Sequence, residues 1–332
     1  MMIQTDKINS SSIHTVDSSR SLKRLERAAG WHYPSFLWRT LPPAVKNALR
    51  ELRARIITLY LTRHFPRNKE FDQSLEDAMA SASLSIIVPV HDAPEMTRRC
   101  LMSLQKYAPQ AEIILVDDAS KLEKTKNILE DFSSRNSWKL IRHPEPLRHS
   151  AACGAGASLA TRPYLCLLNS DTVVTPRCWR PITQVFEDNP KIGVAGPSTS
   201  RSGNSQTLPL AKCARHYLND NQICEYAQLL STECSDPLVT DLPWVCGFAL
   251  FIRRSLWELV GGFDRNIPDF YNDIELSTRI LGAGYRAVWV RNSYIHHLGG
   301  ESYPKAVGCE FIAKHAQAAE EYIKQKYRHC DR

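Results

Sequence analysis

The sequence predicts an α/β fold on a mostly parallel central sheet, preceded by a helical N-terminal extension. Three observations predict it. From Leu84 onward, short apolar runs alternate with amphipathic stretches in the order β-α-β-α-β-α-β, which implies parallel pairing and right-handed crossovers. Two of those runs end abruptly in acids, at Asp117-Asp118 and at Asp171, and open α/β sheets bind their ligands beyond the carboxyl ends of strands. Before Leu84 the pattern is basic and helical, broken by Pro34, Pro42 and Pro43.

Composition narrows the function classes. With 332 residues, 43% of them hydrophobic, the chain can bury one large core or two small ones. It contains no run of about 18 apolar residues, so no spanning helix is expected. Residues 1–20 are rich in Ser, Thr and charge and lack the apolar region of a secretory signal. The 10 cysteines form no CxxC pair and read as reduced thiols of a cytoplasmic protein. Charge is lopsided: residues 1–69 carry 13 Lys/Arg against 4 Asp/Glu, the rest 29 against 31. The basic character therefore belongs to the extension and not to the strand-end acids. It suits an anionic membrane surface, and equally a solvated helical face. No nucleic-acid partner is expected.

In chain order, residues 1–20 read as a disordered tail and 21–82 as a basic helical extension with a linker. Within it, Val45, Leu49, Leu52, Ile56, Ile57, Leu59 and Tyr60 recur at helical spacing between Lys46, Arg50, Arg53 and Arg55. This pattern fits a peripheral membrane contact through 21–63, packing on the main domain, or a homodimer contact. Residues 66–82 read as a linker with a short acidic helix. The main domain, 83–305, opens with the β-branched strand Leu84–Val90, and Pro94 suits the start of the helix 95–106. A strand at 112–116, a helix at 124–132, a strand at 138–142 and a small-residue helix at 150–161 follow. Gly154-Ala155-Gly156 misses a dinucleotide fingerprint, because Leu159 fills the third glycine position and the first strand does not lead into it.

Tyr164 to Thr172 reads as a buried strand ending in Asn169-Ser170-Asp171. Asp171 is well placed to hold a hard cation such as Mg²⁺ or Mn²⁺, which takes a few protein oxygens plus substrate phosphates. A plain strand-to-loop turn is the alternative. A helix at 176–189 and a strand at 192–197 come next. The polar, Gly-containing stretch 198–206 has the composition of a mobile loop, and 207–240 is of mixed helical character. Trp244 to Ile252 reads as another buried strand. Gly261-Gly262-Phe263-Asp264 turns the chain, and Asn272-Asp273-Ile274-Glu275 opens a helix through Leu281. A strand at 287–290 leads to His296-His297, which strand alternation would point to opposite sides. Residues 306–332 carry a C-terminal helix.

The ordered set of these segments, over roughly 83–302, resembles the family 2 glycosyltransferases, which have the GT-A nucleotide-binding sandwich. Ile87-Val88-Pro89-Val90-His91-Asp92 is similar to the family's opening strand and nucleotide loop. Val116-Asp117-Asp118-Ala119-Ser120 resembles its second-strand signature. Asn169-Ser170-Asp171 stands where the family carries its DXD-type metal motif. Gly261 to Asp264, followed by Asn272 to Leu276, resembles its acceptor-side segment, and His297-Leu298-Gly299-Gly300 its late His-containing motif. The resemblance implies that Val90 and His91 line a nucleotide pocket with Asn169 and Ser170, and that Asp117 or Asp118 bonds the base or ribose. It implies that Asp171 binds the cation with His297 nearby, that Asp273 is the general base, and that Asn272 and Glu275 lie on the acceptor side.

The chain departs from the family pattern at Asn169, where Asp is usual, and at Asn272, where Glu is usual. It also lacks the Gln-x-x-Arg-Trp motif of processive synthases. The resemblance thus implies a non-processive inverting transfer from a nucleotide-sugar donor to a saccharide or lipid-linked saccharide acceptor, using Mn²⁺ or Mg²⁺. Such a transfer needs a base at the attacking hydroxyl and charge stabilisation at the leaving diphosphate. The alternative is a catalytically silent module that binds sugar nucleotides or glycans, which the two Asn substitutions keep open. A nucleotidyltransferase would need a basic Gly-rich loop after the first strand, and Val90-His91-Asp92-Ala93 has none.

Overall fold

The structure, a computed structural model, describes residues 41–46, 48, 75–208, 211–212, 218–232, 237–299 and 309–328. The expected tail 1–20, nearly all of the helical stretch 21–63 and the end of the late motif from Gly300 lie outside the described residues.

A mixed sheet of nine strands runs through the domain in the order β3-β2-β1-β4-β8-β6-β9-β5, with β7 paired to β9. Its first half is the expected parallel unit: β1 (Leu84–Val90), β2 (Glu112–Asp117), β3 (Lys139–Arg142) and β4 (Tyr164–Leu168). The crossovers are helices α2 (Pro94–Tyr107), α3 (Glu123–Asn136) and α4 (Arg148–Ser158), after a short α1 (Leu75–Ser81). Pro94 sits in the first turn of α2, where its missing N–H costs nothing. Both faces of β1 are covered: Leu84, Ile86, Val88 and Val90 face one cluster, and Ile87 the other. Each such side chain contributes about 1.5–3 kcal/mol by its burial. Gly156 of α4 lets that helix press onto β1, since a Cβ there would run into the Ile87 side chain.

The second half of the sheet mixes directions. β8 (Ala249–Arg253) pairs antiparallel with β4 and β6 (Ile192–Ser198), β6 pairs parallel with β9 (Arg286–His297), and β9 pairs antiparallel with β5 (Thr172–Val174) and β7 (Val239–Asp241). Helices α5 (Trp179–Asp188), α6 (Asp220–Thr232), α7 (Arg254–Val260), α8 (Asn272–Gly282) and α9 (Cys309–Tyr327) complete the described elements. Asp77 of α1 ties the segment expected to be a linker to this half. Its buried carboxylate accepts from the N–H groups of Arg177, Trp179 and Arg180 at 2.8–2.9 Å, so it caps α5 from about a hundred residues upstream.

Three expectations need adjusting. The strand expected over 244–252 begins only at Ala249, because the preceding N–H groups bond side chains instead of a neighbouring strand. Val245 donates to Ser277 Oγ, Cys246 to Gln206 Oε1 and Gly247 to Asp273 Oδ2. The strand expected over 287–290 extends to His297. Its buried Asn292 and Ser293 broke the apolar pattern, but they bond Leu238 N and Cys178 O. The stretch 198–206 is cross-linked by its own polar groups: Gln206 is fully buried and bonds Pro197 O, and Asn204 bonds the Trp244 carbonyl.

Candidate active site

Asp171 lies in the turn between β4 and β5, directly before Thr172. β5 pairs with the end of β9, which sets Thr172 opposite His297. Strand alternation sends His296 into the core, where Nδ1 lies 2.8 Å from the Tyr294 hydroxyl, and turns His297 toward Asp171. His297 Nε2 is 3.2 Å from Asp171 Oδ1. Burial raises the Asp171 pKa, but His297 and Arg201 more than reverse this and hold the carboxyl below its ordinary value.

The other ring nitrogen decides what this pair can hold. His297 Nδ1 is 2.8 Å from the Arg201 carbonyl, which only accepts, so Nδ1 carries a proton. In the neutral ring Nε2 is then a lone pair aimed at a carboxylate oxygen. Two acceptors at that distance need a proton or a cation between them. A carboxylate and an imidazole whose far nitrogen is fixed by a carbonyl form a donor set suited to Mn²⁺ or Mg²⁺ when phosphate oxygens and water complete the shell. Among the described residues no cluster of three or more His, Cys, Asp or Glu side chains could hold a metal by itself.

Asp273 stands in the first turn of α8. Gly247 N–H donates to its Oδ2 at 2.7 Å and Ile274 N–H to its Oδ1 at 2.9 Å. Burial pushes its pKa above the usual carboxylate value, against the pull of those N–H groups. Gly247 and Phe248 join this acid to the Asp171 end. The Phe248 ring stacks on His297 at 5.2 Å between centroids, and its carbonyl accepts from Asn169 N–H at 2.9 Å.

At the carboxyl ends of β1 and β2, Val90 closes β1, and its carbonyl accepts from Asp118 N–H. His91 Nδ1 donates to the Asp118 carbonyl at 2.7 Å. The Asp118 carboxylate holds the following loop, accepting from Leu147 N and Arg148 N and lying 2.8 Å from His143 Nδ1. Asp117 Oδ1 accepts from Ser120 N–H, and its Oδ2 lies 3.6 Å from Arg142 Nε. Ser170 is half-buried between Asn169 and Asp171.

Asn272 and Glu275 expose almost nothing. Glu275 takes both guanidinium contacts of Arg279 together with Lys326 Nζ at 2.7 Å and Tyr327 Oη at 3.0 Å, so it fastens α9 to α8 instead of facing the cleft. Sequence reasoning missed His149, Arg201 and Phe248. His149 sat just before a helix expected from residue 150, Arg201 in a stretch read as a mobile loop, and Phe248 in a run read as plain core. Only the fold brings His149 to Asn272, Arg201 to His297, and Phe248 to Asn169 and His297.

Comparison with known proteins bears on the fold and the family. The model of the family "Glycosyl transferase family 2" matches residues 85–260. The O-antigen biosynthesis protein RfbC of Myxococcus xanthus is 26% identical over 228 residues, covering 64% of this chain and 17% of that protein. The poly-beta-1,6-N-acetyl-D-glucosamine synthase of Staphylococcus epidermidis is 24% identical over 221 residues, covering 65% of this chain and 50% of that one. The chain thus spans half or less of the length of these curated relatives. Among solved structures, the mannosyltransferase PcManGT from Pyrobaculum calidifontis, in complex with GDP-Man and Mn²⁺, superposes with a TM-score of 0.52 at 15% identity, covering 92% of this chain and 76% of that chain. No helix among the described residues is long and apolar enough to cross a membrane. With more than half of its length matched by the family model and the GT-A fold seen in its structure, the chain belongs to glycosyl transferase family 2.

Proposed function

We propose that this protein transfers a sugar, with inversion and one residue at a time, from a nucleotide-sugar donor to a saccharide or lipid-linked saccharide acceptor. One observation carries the reading: the dipeptide Gly247-Phe248 holds both ends of the chemistry. Its first N–H orients the Asp273 carboxylate, and its aromatic ring backs His297, which faces Asp171. The acid that would act as base and the acid that would take a cation are thus linked through two adjacent residues, which supports the reading.

In this reading Asp273 takes the proton of the acceptor hydroxyl as that oxygen attacks the anomeric carbon. Gly247 and Ile274 keep both carboxylate oxygens oriented, and burial raises the affinity for that proton. Asp171 and His297 would hold Mn²⁺ or Mg²⁺, which neutralises charge on the departing diphosphate. Arg201, close enough to depress the Asp171 pKa, adds a fixed positive charge on the same side. Asp117 and His91 would border the nucleoside, while Asp118 shapes that pocket by holding residues 143–148. One base and one cation suffice for inversion, and a second catalytic carboxylate is not needed.

The test is a thermal-shift panel of nucleoside diphosphates and nucleotide sugars, with and without Mn²⁺ or Mg²⁺, on wild type and Asp171→Ala. A ligand selective for the folded state raises the melting temperature. The expected result is a metal-dependent shift with one nucleotide, absent in Asp171→Ala. No shift with any nucleotide would refute the transferase reading and favour a silent glycan-binding module.

A further inference from the structure

Arg148, the first residue of α4, has a left-handed backbone with φ 75. Glycine adopts that conformation freely, whereas a residue with a side chain is strained in it. Such strain persists where the surroundings over-determine it, and it gathers at functional sites. Two carboxylates hold Arg148 from opposite ends. Its N–H donates to Asp118 Oδ2 at 2.8 Å, which ties it to the end of β2. Its guanidinium Nη2 is in ion-pair contact with Asp269 Oδ2, the two side chains exposing 24% and 4%. A pair this far out of water depends on both of its members, because a buried charge left alone is costly.

Asp269 lies in the irregular loop between α7 and α8, residues 261–271, which leads to Asp273. Residues 148–150 seat that loop. Besides the Arg148 contact, His149 N–H donates to Asp269 Oδ1 at 3.4 Å, Ser150 N–H to the Pro268 carbonyl at 2.8 Å and Ser150 Oγ to the Ile267 carbonyl at 2.5 Å. The Asn272 NH₂ then reaches Ser150 Oγ at 3.0 Å and His149 Nδ1 at 3.1 Å, while Asn272 Oδ1 accepts from Asp273 N–H at 2.8 Å. The chain from Ile267 to Asn272 thus rests on the start of α4, and Asp273 follows directly. A glycine at 148 would keep its N–H on Asp118 and shed the strain. It could not supply the guanidinium on Asp269.

We propose that Arg148 is a positioning residue for the base: held at the end of β2 by Asp118, it grips Asp269 and so sets the loop that delivers Asp273 to the acceptor hydroxyl. The proposal rests on the transferase reading above and deepens it. The left-handed arginine is then strain kept for alignment, and removing it should leave a protein that is as stable but slower.

The ion pair lets positioning be separated from stability. Removing one member strands the other, so Arg148→Gly and Asp269→Asn should each lower the melting temperature. Removing both leaves no charge and no strained arginine, so Arg148→Gly/Asp269→Asn should melt at or above wild type. Turnover is read on the full chain as nucleoside diphosphate released from UDP-glucose, UDP-N-acetylglucosamine, GDP-mannose and dTDP-rhamnose in Mn²⁺, with water as the attacking hydroxyl. Calorimetry with the same four gives donor affinity. The double variant should bind the donor within about threefold of wild type yet turn it over about tenfold or more slowly, the signature of a misplaced reacting group. Arg148→Lys, which keeps a charge within reach of Asp269, should recover turnover to within about threefold, and Arg148→Gln, equally strained but neutral, should not. The Lys and Gln variants carry the comparison if the double variant does not fold. Wild-type turnover in the double variant, equal turnover in the Lys and Gln variants, or donor affinity lost together with rate would overturn the role of Arg148 and leave the transferase reading standing. If wild type neither binds nor turns over any of the four, the transferase reading falls and this role falls with it.

Discussion

Replacing Asp273 with Asn separates the chemistry of the site from its architecture. The carboxylate accepts Gly247 N–H at 2.7 Å and Ile274 N–H at 2.9 Å, one on each oxygen. An Asn side chain has the same shape but one acceptor, so one of those N–H groups faces an NH₂. A lost hydrogen bond of this kind costs about 1–2 kcal/mol. Working against it, the buried acid carries a desolvation penalty large enough to raise its pKa, and the neutral amide does not. The net change in stability should therefore stay within about 1 kcal/mol. Loss of a general base costs about 10²–10⁴ in rate. The assay is kcat and KM on the identified donor and acceptor, with urea unfolding in parallel. The expected result is a collapse of kcat with the unfolding midpoint almost unmoved and donor binding retained. In wild type the acid limb of kcat/KM should lie above the ordinary Asp range, since the base form of a carboxyl with a raised pKa appears only at higher pH. A variant that kept a tenth or more of wild-type kcat would refute the assignment of Asp273 as base.

Three further predictions come from parts of the molecule that touch no substrate. Gly299 has φ +60, and an added Cβ would lie 2.6 Å from Arg201 Cδ and 3.2 Å from His297 Cε1. Gly299→Ala should cost about 1–2 kcal/mol for the left-handed backbone, and it should weaken metal-dependent nucleotide binding as Arg201 and His297 are pushed aside; unchanged Mn²⁺ dependence in calorimetry would contradict this. Asp77→Ala leaves three N–H groups at the start of α5, that of Trp179 buried and those of Arg177 and Arg180 part-buried, without their carboxylate. It should lower unfolding free energy by about 3 kcal/mol or more, whereas Asp77→Asn should lose less, and equal losses in urea titrations would argue against a cap. Acid should destabilise the fold in a defined window. Burial raises the pKa values of Glu112 and Asp264, yet Lys139, Ser85 and Thr161 around the first and Lys326, Asn266 and Tyr322 around the second outweigh it, leaving both at about 2. Groups with depressed folded pKa values stabilise the fold above their unfolded values. That stability should fade from about pH 4.5 down through about 2, with the urea midpoint falling across it; a flat midpoint over the same range would remove these two acids from the account.

Most of the parallel half was legible in the sequence because three of its four strands, β1, β2 and β4, are almost wholly buried and read as near-continuous apolar runs, while β3 is the exposed edge. Leu84 to Val90 needs no partner to be recognised. The antiparallel half was harder because its polarity is local and its satisfaction is distant. Asn292 and Ser293 look like loop residues until Leu238 and Cys178 are found beside them. Trp244 to Phe248 looks like strand until its N–H groups are found on Ser277, Gln206 and Asp273. The candidate site was visible as separate acids at element ends. What joins them was not, because Phe248 is an ordinary apolar residue in sequence and meets His297 and Asn169 only in the fold.

β9 has a consequence in time as well as in space. It supplies His297 from its last residue and pairs with β5, β6 and β7, so the metal-side rim has no second wall until residue 297 has been synthesised. The four parallel strands β1 to β4 depend on no residue beyond 168 for their mutual pairing, apart from the edge that later receives β8. A nascent chain on the ribosome can thus gather its four parallel strands early, more than a hundred residues before it can complete the proposed cation site. Interrupted synthesis would leave fragments that hold Asp171 without His297, able to collapse but not to gather the charge needed to release a diphosphate. The order of translation itself would guard an activated sugar from being spent by an unfinished enzyme.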